Sequence, residues 1–247
     1  MPLIETESVV LRSYNLADAD RIVVFLTRDH GVVRGVAKGI KRLKSRYGSS
    51  FEPFNSVNLS YFQKEERELV SIQEAELTRS NFAAASEPTV FATYSYIAEM
   101  LLAFTPPHDP SDILFRMVRA CFEANDLTAE KMPAIRAYFE LWLLRLGGFL
   151  PDWSRCFICS RAFSAEDMPS VDNGQHLICD QCNKGHLHNK VPNGWFETIQ
   201  NARLLSPTDF ASDENVLEPA VAISAILRRI IERVLDRPIT SMGSTAL

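Results

Sequence analysis

The stretch Arg21-Ile-Val-Val-Phe-Leu-Thr-Arg-Asp-His-Gly-Val-Val-Arg-Gly-Val-Ala37 reads as two apolar strands, 21–27 and 32–37, folded back on each other at Asp29-His30-Gly31. Glycine takes positive φ without a Cβ clash, which suits a tight hairpin. Three more runs rich in Val, Ile, Leu, Phe and Tyr flank this pair at residues 3–11, 56–62 and 69–77, and the segments between them hold Asn15, Asp18, Asp20 and Glu65-Glu66. Unpaired strand edges invite association, so five short strands within residues 3–78 predict closure into a small barrel. An OB-type barrel is the economical solution and an SH3-like barrel the alternative; periodicity does not separate them.

Beyond residue 87 the apolar residues recur at helical spacing. Pro88 precedes Val90, Phe91, Tyr94, Ile97, Ala98, Leu101 and Leu102, and Pro106-Pro107 ends the stripe. Ser111 or Asp112 can cap a helix over 113–124, and Met132-Pro133 opens another that Gly147-Gly148 stops. Tyr138, Phe139 and Trp142 on that helix are expected to pack in its core. A helix over 192–204, a turn-rich connector over 206–215 and a long amphipathic helix from Glu218-Pro219 follow, with a frayed tail over 238–247. On the last helix Arg228, Arg229 and Arg233 are expected to be solvated and to offset the helix dipole.

Inserted among the helices are Cys156-Phe-Ile-Cys159 and Cys179-Asp-Gln-Cys182. A tight turn at each pair can bring both thiolates to one ion, and two such turns complete a tetrahedron around zinc. Two disulfides are the alternative use of four cysteines, but the chain has five cysteines and no secretory signal, which points to a reducing compartment. Four thiolates fill the coordination shell and leave no position for a substrate, so the expected cofactor is one structural Zn2+ held by Cys156, Cys159, Cys179 and Cys182. His176, His186 and His188 are then loop residues rather than ligands. Cys121, alone in an apolar helical pattern, is expected to be a buried thiol.

The net charge of -5 by itself disfavours nucleic acid, yet the charges are unevenly placed. Arg34, Lys38, Lys41, Arg42, Lys44 and Arg46 follow one another with no acidic residue between them, so the rest of the chain carries -11. Like charges without counter-charges repel one another unless an anion is bound, and these six residues are the candidate DNA-binding set. Tyr47, Phe51, Phe54 and Tyr61 are near enough in sequence to be considered as stacking surfaces, with core packing favoured for all four. The start, Met1-Pro-Leu-Ile-Glu-Thr-Glu, has neither a basic n-region nor a long apolar run, and the longest apolar runs are interrupted by Glu99 and Arg145. The expected location is cytoplasmic, with no membrane partner.

Taken together the motifs resemble the bacterial RecO family of recombination mediators. The resemblance is carried by Glu7-Ser-Val-Val-Leu-Arg-Ser-Tyr, Ala19-Asp-Arg-Ile-Val-Val-Phe-Leu-Thr, His30-Gly-Val-Val-Arg-Gly-Val-Ala-Lys-Gly, Lys44-Ser-Arg, Phe51-Glu-Pro-Phe, Leu144-Arg-Leu-Gly-Gly-Phe-Leu-Pro and Cys156-x-x-Cys. Where the family usually shows a Gly-Ala-Arg type segment, this chain has Ala37-Lys-Gly-Ile-Lys-Arg42, which keeps the charge. The resemblance implies an α+β multidomain protein: an OB-like barrel at 1–80, then a helical domain at 81–247 with a zinc-binding insertion at 152–190. It implies binding to single- and double-stranded DNA, strand annealing, contact with the C-terminal tail of single-strand binding protein, pairing with RecR to load recombinase, and association with the nucleoid during repair. An acidic tail ending in apolar residues needs an apolar cleft with a basic rim, which the helices around Arg116, Arg119 and Arg136 are expected to provide.

Enzymatic readings find little support. A zinc deaminase would carry His-x-Glu and an ATPase a Gly-x-x-x-x-Gly-Lys-Ser/Thr loop, and neither motif occurs. A zinc-ribbon adaptor that binds proteins without touching DNA is the non-enzymatic alternative.

Overall fold

The computed structural model describes residues 3–42, 45, 47–63, 68–124, 128–185 and 189–239. They fall into two compact units, Met1–Glu123 and Ala124–Leu247.

In the first unit β1 (Leu3–Asn15), β2 (Arg21–Thr27), β3 (Gly31–Ala37), β4 (Ser56–Phe62) and β5 (Leu69–Arg79) close into a barrel of order β1-β2-β3-β5-β4. Strand β1 serves two neighbours: its first half pairs antiparallel with β4, from Leu3 opposite Phe62 to Val9 opposite Ser56, and its second half with β2, ending at Asn15 opposite Arg21. The parallel pairing of β3 with β5, Arg34 opposite Leu69, seals the barrel and settles the choice of barrel in favour of the OB type. Closure is tight there, since a Cβ on Gly35 would lie 2.6 Å from Ile72 Cγ1. The hairpin turn falls where expected, with Gly31 at φ 64°.

Val10, Val23, Phe25, Val33, Val57, Leu59, Val70 and Ile72 fill the barrel. Tyr47 and Phe51 close one end of this core, their rings 4.9 Å apart, with Phe51 edge-on to Phe25 at 5.5 Å. Phe54, at φ 71°, turns the other way and packs against Tyr94 and Phe122. These two belong to α2 (Pro88–Phe104) and α3 (Asp112–Phe122), which follow the short α1 (Phe82–Ala85). The Glu87 carboxylate caps α2 through Val90 N–H, and Ser111 Oγ caps α3 through Leu114 N–H. Cys121 on α3 is fully buried, as expected.

In the second unit a 3-10 turn (Ala129–Lys131) leads into α4 (Met132–Leu146), whose apolar face packs on the long C-terminal helix α8 (Glu214–Leu235). Between them lie the hairpin β6 (Ser170–Val171) and β7 (Leu177–Ile178), α5 (Asp180–Asn183), α6 (Trp195–Leu204) and α7 (Pro207–Ser212). Two expectations need correction. The connector over 206–215 contains α7, capped by Ser206 Oγ on Asp209 N–H with Pro207 at its first position and Phe210 and Ala211 buried. Helix α8 starts at Glu214, ahead of Glu218-Pro219, because Asp213 accepts from Asn215 N–H and caps it there; Pro219, this early in the helix, forfeits only one ladder hydrogen bond. The start of the expected frayed tail is also ordered, with Ile239 buried and its N–H donated to Glu232. Residues 240–247 lie outside the described residues.

Inside this unit Glu140 is fully buried, accepting from Arg136 Nε at 2.9 Å and from Ser224 Oγ at 2.6 Å. The pair ties α4 to α8 through a desolvated charge.

Candidate nucleic-acid interface and metal centre

The basic run leaves β3 and turns back along the β1–β2 connection. Asp20 Oδ1 accepts Gly39 N–H at 2.7 Å, Ala19 O accepts Lys41 N–H at 3.2 Å, and Arg42 N–H is donated to Gly39 O at 3.1 Å. The backbone is therefore fixed while the cationic heads remain exposed at Arg34, Lys38, Lys41 and Arg42. Lys41 Nζ reaches the Ala17 carbonyl, and among the described residues none of these four forms an ion pair. Several arginines elsewhere are ion-paired: Arg28 meets Glu7 and Asp112, Arg116 meets Asp112, Arg119 meets Glu7 and Glu123, and Arg161 meets Asp167. Lys44 and Arg46 lie outside the described residues.

The sheet registers extend this patch onto the barrel wall. Val23 and Phe25 point into the barrel core, so the pleat turns Val24 to the other face of the sheet, where it is itself buried between its partners Arg12, half-buried, and Arg34, exposed. Tyr14, opposite Ile22, sits on the same outer face. Sequence reading missed Arg12 and Tyr14 because the expected strand ends at residue 11, whereas β1 continues to Asn15, and a register shift between Val10 and Arg12 sets which face the two side chains take. The opposite wall is acidic, with Glu5 and Glu74 flanking Ser60 in one row and Glu7 and Glu76 flanking Asn58 in the next. A polyanion is thus attracted to one side of the barrel and repelled from the other. Tyr47, Phe51, Phe54 and Tyr61 are all buried, so they pack the core and offer no stacking surface.

Cys156 and Cys159 sit on a turn closed by the rung Arg155 to Ala162 and by Ser160 N–H donating to Cys156 O. Cys179 precedes α5, and Cys182 lies in its first turn. The two turns are clasped by Phe157 N–H on Leu177 O and by Cys179 N–H on Cys156 Sγ, at 2.9 and 3.4 Å. All four sulfurs lie within 4.8 Å of one another, and Cys159 to Cys179 is 3.8 Å. Zinc–sulfur bonds of about 2.3 Å in a tetrahedron place sulfurs about 3.8 Å apart, whereas a disulfide needs about 2.0 Å. The cysteines are unbridged.

Burial pushes the Cys156 thiol up, but the N–H groups of Cys159, Cys179 and Ile158 outweigh it and bring it down to about 6. Hydrogen bonding with the Cys159 and Cys179 sulfurs leads the causes that push Cys182 up to about 12, with burial and the charge of Cys156 adding to it. A divalent cation held among the sulfurs would favour their thiolate forms. The residues present fit a closed four-sulfur metal site. His176 is engaged elsewhere, stacked on Phe157 at 3.9 Å with Nδ1 3.1 Å from Asp172, while His186 and His188 lie outside the described residues. Arg233, expected to be solvated, donates to the Gly174 and Asn173 carbonyls and pins α8 to the turn between β6 and β7.

The expected basic rim is not built as foreseen. Arg116 and Arg119 are ion-paired as above, and Arg136 is committed to the buried Glu140. The second unit instead holds an apolar cavity of about 200 Å³ between α4, the 150–154 turn and α6, floored by Leu141, Trp142 and Phe196 and flanked by Arg145 and Arg203. Trp142, expected as core, is half-buried there with its Nε1–H donated to Ala202 O. Tyr138 and Phe139 are buried as expected.

A closed OB-type barrel with an exposed basic loop, a helical region and a cluster of four cysteines that could hold a metal ion define the class of protein. The chain belongs to the RecO family: residues 1–81 match the family described as Recombination protein O N terminal, and residues 86–243 match Recombination protein O C terminal. It is 30% identical over 251 residues to the DNA repair protein RecO of Bifidobacterium longum subsp. infantis, covering 98% of each chain. Identity to the protein of that name from Bifidobacterium animalis subsp. lactis is 31% over 250 residues, again 98% of each, and to that from Koribacter versatilis 33% over 177 residues, 71% of this chain and 70% of the other. No helix among the described residues is long and apolar enough to cross a membrane.

Proposed function

We propose that the protein is a non-enzymatic mediator of recombinational DNA repair that binds single- and double-stranded DNA, anneals complementary strands and, with RecR, helps load recombinase. The observation that carries this reading is the fixed loop whose exposed Arg34, Lys38, Lys41 and Arg42 have no ion-pair partner among the described residues. Lys44 and Arg46 continue the same set. Cations presented on a pinned backbone bind phosphates whatever the base sequence, and a site that neutralises two strands at once removes the repulsion that opposes annealing. The work divides along the expected domains, DNA at 1–80 and protein contacts in 81–247, in the cytoplasm and at the nucleoid.

One Zn2+ held by Cys156, Cys159, Cys179 and Cys182 stabilises the fold of the insertion at 152–190. With four thiolates around it the ion has no open position, so it supplies structure rather than chemistry. For the C-terminal tail of single-strand binding protein, the cavity beside Trp142 replaces the helices first considered. Burial and then the neighbouring Arg203 lower the pKa of the Arg145 guanidinium, a strain that a carboxylate relieves. Reversing both charges, Arg145→Glu with Arg203→Glu, should abolish calorimetric binding of the tail peptide; retained binding would reject this site.

Fluorescence anisotropy with oligonucleotides of unrelated sequence at increasing salt tests the DNA reading. Similar affinities that fall steadily with salt are expected. No binding at low salt would leave the zinc-ribbon adaptor as the better description.

A further inference from the structure

We propose that Tyr14 is a base-stacking platform on the outer wall of the barrel and gives the protein a preference for single-stranded over duplex nucleic acid. The inference rests on the assignment of the basic loop as the DNA site. Within the five barrel strands the exposed large apolar side chains are Leu3, Tyr14 and Leu77, so Tyr14 is the exposed aromatic ring. It is 45% exposed, while the aromatics nearest the basic loop in sequence, Tyr47 and Phe51, are buried.

Its surroundings suit an unpaired base. Arg12 donates from Nη1 to Tyr14 Oη at 3.2 Å, and its guanidinium carbon lies 5.8 Å from the ring centroid, so the ring is steadied by a cation that also faces the ligand. Arg12 is across Val24 from Arg34, and Tyr14 is one outward row further along, across Ile22 from Val36. Ring and cations therefore share one wall, and a strand whose phosphates follow Arg34 and Arg12 brings its bases to the tyrosine. Stacking discriminates by strandedness because the faces of duplex bases are already covered by their neighbours.

The test compares the intact protein with Tyr14→Ala, Tyr14→Phe and Tyr14→Trp, using an oligothymidylate and a duplex of equal length. Tyr14→Ala should weaken oligothymidylate binding about 5-fold to 100-fold, the range one stacked base supplies. It should leave duplex affinity within about 2-fold and the salt slope unchanged, since no phosphate contact is removed. Tyr14→Phe should retain most of the affinity, and the indole of Tyr14→Trp should be quenched on binding the oligonucleotide. Salt-dependent binding that is indifferent to Tyr14→Ala would overturn the stacking role and leave the basic loop standing. Equal losses on single strand and duplex would overturn it too, by showing that the ring only supports the fold. Absence of salt-dependent binding in the unaltered protein would remove both.

Discussion

Asp20 Oδ1 accepts the backbone N–H of Gly39 at 2.7 Å, so among the described residues this carboxylate holds the backbone of the basic loop rather than its cations. The contact fixes the loop without neutralising it. Two substitutions separate these effects. Asp20→Asn keeps an acceptor and removes a negative charge beside the site, so single-strand affinity at low salt should stay the same or rise. Asp20→Ala makes the same charge change but releases the loop, and should bind at least about 3-fold more weakly than Asp20→Asn, in line with the roughly 0.5–1.5 kcal/mol of a neutral hydrogen bond at this part-buried position. Anisotropy titrations of the two variants side by side give the comparison.

Metal content follows from the sulfur cluster. The purified protein should hold one zinc per chain by elemental analysis, and Cys156→Ser with Cys179→Ser should lose it. Metal binding is coupled to folding of the segment that supplies the ligands, so the double variant should show local protease cleavage within 152–190 while the barrel remains folded. Less than about a quarter of an equivalent in chelator-free protein would argue against the site.

Glu140 carries a stability prediction. It is a fully buried carboxylate that accepts from Arg136 Nε and from Ser224 Oγ, and its removal breaks a buried ion pair and the tie between α4 and α8. Glu140→Ala should destabilise the second unit by about 3–5 kcal/mol, and Glu140→Gln, which keeps an oxygen for Ser224, by less. The denaturant midpoint of the helical signal reports both.

Much of the barrel was legible in the sequence because its strands are short, apolar and separated by turn residues. The 21–37 hairpin and the 56–62 strand agree with the structure almost residue for residue. The bulge after Val10 was not legible: an inserted residue leaves no mark in composition, yet it decides that Arg12 and Tyr14 face outward. Helix α7 did leave a mark, Ser206-Pro-Thr-Asp209, a cap followed by proline at the first position, which the surrounding turn residues masked. Pro219 reads as a helix start, whereas Asp213 caps the helix ahead of it. The cysteine spacing was legible because metal geometry is dictated locally. The rim arginines were misjudged because charge alone does not reveal a partner, and Arg119 finds Glu7, more than a hundred residues earlier in the chain.

Whether the basic loop is the principal DNA site is tested most directly by the salt dependence of oligothymidylate binding in Lys38→Ala, Lys41→Ala, Arg42→Ala combined, against the unaltered protein. Each phosphate neutralised on a single strand contributes about 0.7 to the log-log slope, so engagement of about four cations predicts a slope near roughly -3 in the parent and roughly -1 in the triple variant. Zinc content and the thermal transition should be unchanged, since these side chains are exposed and form no ion pair among the described residues. A triple variant that keeps the parent's slope would place the DNA site elsewhere on the chain.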